Sequence, residues 1–177
     1  MKWKNKIFQN HTSNSFETVA LEIFQYQAKN NNVYKTYLKL LNVNPNYVKK
    51  LDQIPFLPVE LFKHQDVVCK SNNIDAVFTS SGTSGPQSRH LIKDLGIYEK
   101  SFTSGFEHFY GDIMEYTILA LLPSYMERSG SSLIYMCEKL IKYSDKKENG
   151  FYLNEHQELS NLLLGLERQN RKTLLIG

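Results

Sequence analysis

The chain has 177 residues, 41% of them hydrophobic and 12% aromatic, and a formal net charge of +3. That is enough for one domain with a real core, or a domain plus an appendage, and it excludes collagen, low-complexity disorder and a disulfide scaffold. The basic residues are scattered in pairs (Lys49–Lys50, Lys146–Lys147, Arg171–Lys172), so there is no basic stripe for a nucleic acid to track.

The N-terminus is basic, Met1-Lys2-Trp3-Lys4-Asn5-Lys6, but no apolar run follows, so no signal peptide is expected. Phe16, Val19, Ala20, Ile23 and Phe24 recur at helical spacing, and Asn14 with Glu17 has the form of a capping box at the start of that helix. Val33, Tyr37, Leu38 and Leu41 predict a second, shorter helix. Asn44-Pro45 reads as an N-cap followed by proline at the first helical position. Ile54-Pro55-Phe56-Leu57-Pro58 is a stiff extended connector, and Pro58 to Phe62 opens a helical turn. Residues 1–65 are therefore expected to form a helical segment.

From residue 66 the pattern changes, and 66–177 are expected to form a partial α/β nucleotide-binding domain. Val67-Val68-Cys69 and Ala76–Thr79 are short β-prone runs, and Arg89 to Lys93 is a further strand candidate. Asp94 is placed to cap a helix running to about Tyr110, whose Phe102, Phe106, Phe109 and Tyr110 read as a core stripe. Thr117 to Leu122 is a buried strand, Ser131 to Ile141 a helix, and Phe151 to Leu153 a strand. Asn154, with Gln157 three residues on, caps a helix carrying Leu159, Leu162, Leu163 and Leu166, and Thr173 to Ile176 is a last strand. Strand–helix–strand–helix–strand implies βαβ units and a mainly parallel sheet. The longest apolar run, Ile118 to Leu122, is too short to span a bilayer. Cys69 and Cys137 lack a CxxC partner and read as reduced core thiols, which points to the cytoplasm.

Ligands of open α/β sheets bind on the loops that follow the carboxyl ends of strands. This sequence stops one residue beyond its last strand, so an incomplete enzyme is expected.

The sharpest chemical feature is Thr79-Ser80-Ser81-Gly82-Thr83-Ser84-Gly85, directly after a β-run. Glycines there let the backbone approach a ligand, successive N–H groups can form a nest for phosphate, and the hydroxyls add donors. It is neither a Walker A loop nor a GxGxxG turn. By composition alone a Ser-rich linker is an equal alternative. His11, His64, His108 and His156 have no metal-ligand spacing, no metal site is expected, and no G-x-S-x-G elbow is present.

Phe78 to Gly85, followed by Ser88-Arg89-His90, resembles the phosphate-loop motif of adenylate-forming enzymes. The Ser-x-His variant resembles acyl-protein synthetases of the bacterial luminescence type and, more distantly, phenylacetate–coenzyme A ligases. Ile54 to Lys63 resembles the segment before that loop in the synthetases, and Leu121 to Leu133 a stretch after it. The resemblance implies an α/β adenylate-forming large domain and activation of a carboxylic acid, such as a fatty acid, by ATP and Mg²⁺. The acyl group would then pass to a thiol on an acceptor or carrier protein. It also implies that Ser80, Ser81, Gly82, Thr83, Ser84 and Gly85 hold the β- and γ-phosphates, and that Arg89 supplies a fixed positive charge beside them, with His90 alongside. Tyr125 and Arg128, after the Thr117–Leu122 strand, are candidates for lining the acyl or nucleotide pocket. Neither cysteine stands at a position matching the family's acyl acceptor. Two rival readings stand beside this one: a non-catalytic remnant or interaction module that keeps the fold, and a different enzyme that uses the serine loop for another phosphate ligand.

Overall fold

The structure is a computed structural model that describes residues 6–9, 12–70, 73–80 and 86–177. It divides into two compact units, Met1–Ile97 and Tyr98–Gly177.

The first unit begins with α1 (Ser13–Asn30) and α2 (Asn32–Leu40). Thr12 is the N-cap of α1, its hydroxyl accepting from the Ser15 N–H, two positions before the expected Asn14. Glu17 serves a tertiary contact instead: its carboxylate accepts from the Leu51 N–H at 2.8 Å. Asn31 ends α1 and caps α2, with its backbone N–H on Gln27 O and its Oδ1 accepting from the Tyr34 N–H. Pro45–Tyr47 form a 3₁₀ turn capped by Asn44, as Asn-Pro predicts. The connector that follows is tied to the helices by side chains. Gln25 Nε2 donates to Pro45 O, and the Tyr34 hydroxyl donates to Pro55 O at 2.6 Å. Phe24, Ala28, Tyr34, Leu38 and Val48 form the core beneath it.

After the one-turn helix α3 (Leu61–His64), the Val67–Cys69 run pairs only through an isolated bridge between Cys69 and Asn31, not as a strand. β1 (Ala76–Thr79) and β2 (Arg89–Ile92) then form an antiparallel hairpin in the register Ala76↔Ile92 to Thr79↔Arg89. α4 (Leu95–Tyr110) follows, with its first N–H, that of Leu95, bonded to Asp75 Oδ2 at 3.1 Å.

The second unit is a layered α/β structure, and in this the mixed, partly parallel reading of the sequence holds. β3 (Thr117–Ala120) lies between β4 (Gly150–Phe151) and β5 (Thr173–Ile176), and both pairings are parallel. All four residues of β3 are buried, as a central parallel strand requires. Its alternate side chains feed two cores. Ile118 packs with Phe106, Ile113 and Leu140, the last on α5 (Ser132–Ser144). Leu119 packs with Leu159 and Leu166 on α6 (His156–Arg168). Helices therefore cover both faces of the sheet. α6 is preceded by Glu155 as N-cap, not the expected Asn154, and Glu155 makes no side-chain cap bond. The α4 stripe is core only in part: Phe106 is buried, whereas Phe109 is 79% exposed and Tyr110 54%. Two polar groups staple the sheet. Asn149 accepts from the Ile118 N–H at 2.7 Å and donates to Ile141 O and Ser144 Oγ. Arg171 grips Glu148 with both terminal nitrogens and also donates to Thr117 Oγ1.

Both cysteines are free and buried. No helix among the described residues is long and apolar enough to cross a membrane.

Candidate functional site

The hairpin puts the serine loop at a defined place. Beyond the last strand pair, Ser80 and Ser88 bond reciprocally: the Ser80 N–H donates to Ser88 O and the Ser88 N–H donates to Ser80 Oγ, both at 3.1 Å. The seven residues between them are thus held at a closed neck. Ser80 itself is exposed at that neck. Ser81, Gly82, Thr83, Ser84 and Gly85 lie outside the described residues.

Arg89 and His90 are the first two residues of the returning strand and point to opposite sides of it, as strand geometry demands. Arg89 Nη1 forms an ion pair with Asp66 Oδ1 at 3.0 Å, and both side chains are more than half exposed. The expected positive charge beside the loop is present, but with a resident counter-ion. The His90 ring meets the Phe62 ring edge-on, with centroids 5.5 Å apart. Although His90 keeps solvent exposure, partial desolvation lowers its pKa below the ordinary 6.5, since it disfavours the charged imidazolium. His90 at this position is therefore a neutral donor or acceptor at physiological pH.

Phe62 and Asp66 were not singled out from the sequence as site residues. Asp66 is 23 positions from Arg89, and no spacing rule links them. The only signal is that Phe62 falls in the segment resembling the synthetases. Between α2, α3 and β2 lies an open cleft of about 420 Å³, lined by Val33, Phe62, Lys63, His64, Asp66 and Arg89 among others. Lys63 is paired with Glu60 one helical turn back, at 3.1 Å.

Tyr125 and Arg128 belong to the second unit, on the loop that leaves the carboxyl end of β3. There α5 and α6 depart to opposite faces of the sheet, after β3 and β4 respectively, which is the place where open α/β sheets bind ligands. The loop organises itself around Glu127, whose Oε2 accepts from the Ser124 N–H and hydroxyl at 2.6 and 2.7 Å. Those two bonds hold the Glu127 carboxyl below its usual range. Glu127 is thus a structural latch. Arg128 is exposed and has no ion pair with a described residue. Tyr125 is half-buried with its ring 6.0 Å from that of Tyr135. Tyr135 is itself anchored: its hydroxyl donates to Glu99 at 2.5 Å, and Lys139 binds the same carboxylate at 2.9 Å. Burial, followed by the Glu99 bond, pushes the Tyr135 phenol up to about 12. Among the described residues no group of three or more His, Cys, Asp or Glu is placed to hold a metal ion.

Comparison with known proteins supplies the family. The model of the family described as acyl-protein synthetase, LuxE, matches residues 6–107, more than half of the chain. That span includes the serine loop, Arg89 and His90, and ends before Tyr125. A Photorhabdus luminescens protein, long-chain-fatty-acid–luciferin-component ligase, is 32% identical over 72 residues. That match covers 40% of this chain and 61% of the relative, so the chain spans about three-fifths of the length of the curated relative it matches. No solved structure matches. The chain belongs to the acyl-protein synthetase (LuxE) family.

Proposed function

We propose that this chain is the N-terminal part of a ligase that activates a carboxylic acid, of the fatty-acid class, with ATP and passes the acyl group to a thiol. In the first step a carboxylate oxygen forms a bond to the α-phosphorus while the bond to the pyrophosphate oxygen breaks, giving acyl-adenylate and pyrophosphate. In the second, a thiolate on an acceptor protein takes the acyl group and AMP leaves. The observation that carries this reading is the serine loop itself. It lies within the family match and is closed at its neck by the Ser80–Ser88 bonds, with Arg89 next in the chain.

The proposed roles follow from charge. The leaving pyrophosphate develops negative charge, and fixed N–H and O–H donors stabilise it without reorganising. In this reading Ser80, Ser81, Gly82, Thr83, Ser84 and Gly85 surround the β- and γ-phosphates. Arg89 contributes a positive charge, and His90 a hydrogen bond. Tyr125 and Arg128 are proposed for the acyl or nucleotide side. In this reading Mg²⁺ would arrive on the nucleotide's own phosphates.

The test is a thermal-shift titration with Mg-ATP on this chain and on a Thr83→Ala, Ser84→Ala double variant. Ligand that binds the folded state alone raises the melting point in a saturable way. A shift in the parent chain that the variant loses is the expected result. The absence of any shift at millimolar ATP would remove the nucleotide from the reading. Fatty-acid-dependent exchange of pyrophosphate into ATP checks the chemistry.

A further inference from the structure

We infer that the cleft between α2, α3 and β2 is a binding site for a phosphoanhydride anion, gripped by Lys63 and Arg89, with Asp66 as the counter-ion that the ligand displaces. The inference builds on the proposed nucleotide chemistry but rests on residues outside the serine loop.

The cleft holds about 420 Å³, ample for a diphosphate group, and its polar rim brings Lys63, His64 and Arg89 together against a single acid, Asp66. Each cation is held by a weak partner. Arg89 and Asp66 are 54% and 55% exposed, and Lys63 and Glu60 are 41% and 65% exposed. Pairs so open to water are nearly neutral in stability, so a competing anion does not have to overcome a strong bond. Charge then decides which anion succeeds. A monocarboxylate that replaced Asp66 on Arg89 would exchange one carboxylate for another and gain little. A diphosphate carries more than one charge and a set of acceptor oxygens. It can engage the planar Arg89 fork and the Lys63 ammonium together, which Asp66 cannot. The position also fits: Arg89 follows directly on Ser88 at the loop's neck, so an anion on Arg89 lies beside the serine loop's point of closure.

The role given to Asp66 separates this idea from a purely structural one. If Asp66 only braced Arg89, its loss would weaken anion binding. As a displaced counter-ion, its loss leaves Arg89 free and removes a negative charge from the cleft, so binding should tighten.

The experiment is calorimetric titration of the 177-residue chain with sodium pyrophosphate, without divalent metal. Lys63→Gln and Arg89→Gln should each weaken binding about tenfold, and Asp66→Asn should tighten it about threefold. Lys142→Gln, an equal charge change on exposed α5 surface, should leave binding unchanged. All four melting points without ligand should stay within about 1 °C of the parent, since these side chains are exposed. Competition by ATP but not AMP would assign the anion to a nucleotide's polyphosphate end. Pyrophosphate binding without ATP competition would assign it to free pyrophosphate. The proposal is overturned if pyrophosphate does not bind, if Asp66→Asn weakens binding, if Lys142→Gln weakens it as much as Lys63→Gln, or if decanoate binds with the same dependence on Lys63 and pyrophosphate does not. The serine-loop double variant separates the two readings. It should abolish the ATP shift if the proposed function holds, whereas pyrophosphate binding in the cleft stands or falls on Lys63, Asp66 and Arg89.

Discussion

His90 shows how a single aromatic contact sets the chemistry of a residue. Its ring lies edge-on to Phe62, and the loss of water there holds the imidazole pKa below 6.5. Protonation on acidification therefore opposes the native contact: the associated stability is present above the ordinary histidine pKa and is lost as pH falls below it. Phe62→Ala should let the His90 pKa climb back toward 6.5, read from the imidazole proton resonances across a pH titration; an unmoved pKa would mean that Phe62 is not the desolvating group. Asn149 is a second residue whose work is out of proportion to its size. Alanine there orphans the Ile118 N–H, removes the amide donor to Ser144 Oγ and leaves Ile141 O with the Asp145 N–H alone. The expected loss is about 2–4 kcal/mol in chemical denaturation. Neither role was legible in the sequence. Helical and strand periods report a residue's own element, whereas Asn149 is 31 positions from Ile118 and Arg89 is 23 from Asp66.

At the scale of elements, the reading from sequence succeeds where burial dominates and fails where a cap or a partner decides. The run Thr117 to Ala120 is apolar and buried on both sides, and it is the central strand. Val67-Val68-Cys69 has the same β propensity but no neighbouring strand, and it forms a single bridge. Two helix starts, at Thr12 and Glu155, shift by two positions and one from the residues that sequence favoured; the Thr12 hydroxyl holds the first through the Ser15 N–H, whereas Glu155 makes no side-chain cap bond. Asn31 has the most demanding role, since it closes one helix and opens the next while 96% buried by its 4% exposure. Asn31→Ala should lower stability by about 2 kcal/mol in chemical denaturation, since it removes both the oxygen that accepts from the Tyr34 N–H and the amide that donates to Gln27 Oε1. The Glu99–Tyr135–Lys139 cluster supplies a pH-dependent counterpart. Hydrogen bonds from Tyr135 and Lys139 hold the Glu99 carboxyl below its usual range. Its contribution is therefore present above the ordinary carboxylate pKa and disappears as acid protonates it. Glu99→Gln should lower the melting point at pH 7, and the gap to the parent should narrow as pH falls below the ordinary carboxylate range; a gap that persists in acid would place the stabilisation in packing.

The whole chain consists of two units with separate cores, and α4 runs across the division after Ile97. Asn31 and Asn149 belong to different units. If the units melt independently, scanning calorimetry should show two transitions, with Asn31→Ala lowering one and Asn149→Ala the other. A single transition that both variants lower equally would instead show that the two cores unfold together.

The Ser80–Ser88 neck has a consequence for affinity as well as for shape. Drawing the two ends of a chain segment together costs conformational entropy, and in this molecule strand pairing and two reciprocal hydrogen bonds meet that cost before any ligand arrives. A ligand seated on the loop does not meet that closure cost again. Because closure entropy grows only logarithmically, doubling the length of such a loop adds about 0.6 kcal/mol. Affinity at this site should therefore tolerate extra residues inside the loop far better than the loss of the Ser80 hydroxyl that fastens it.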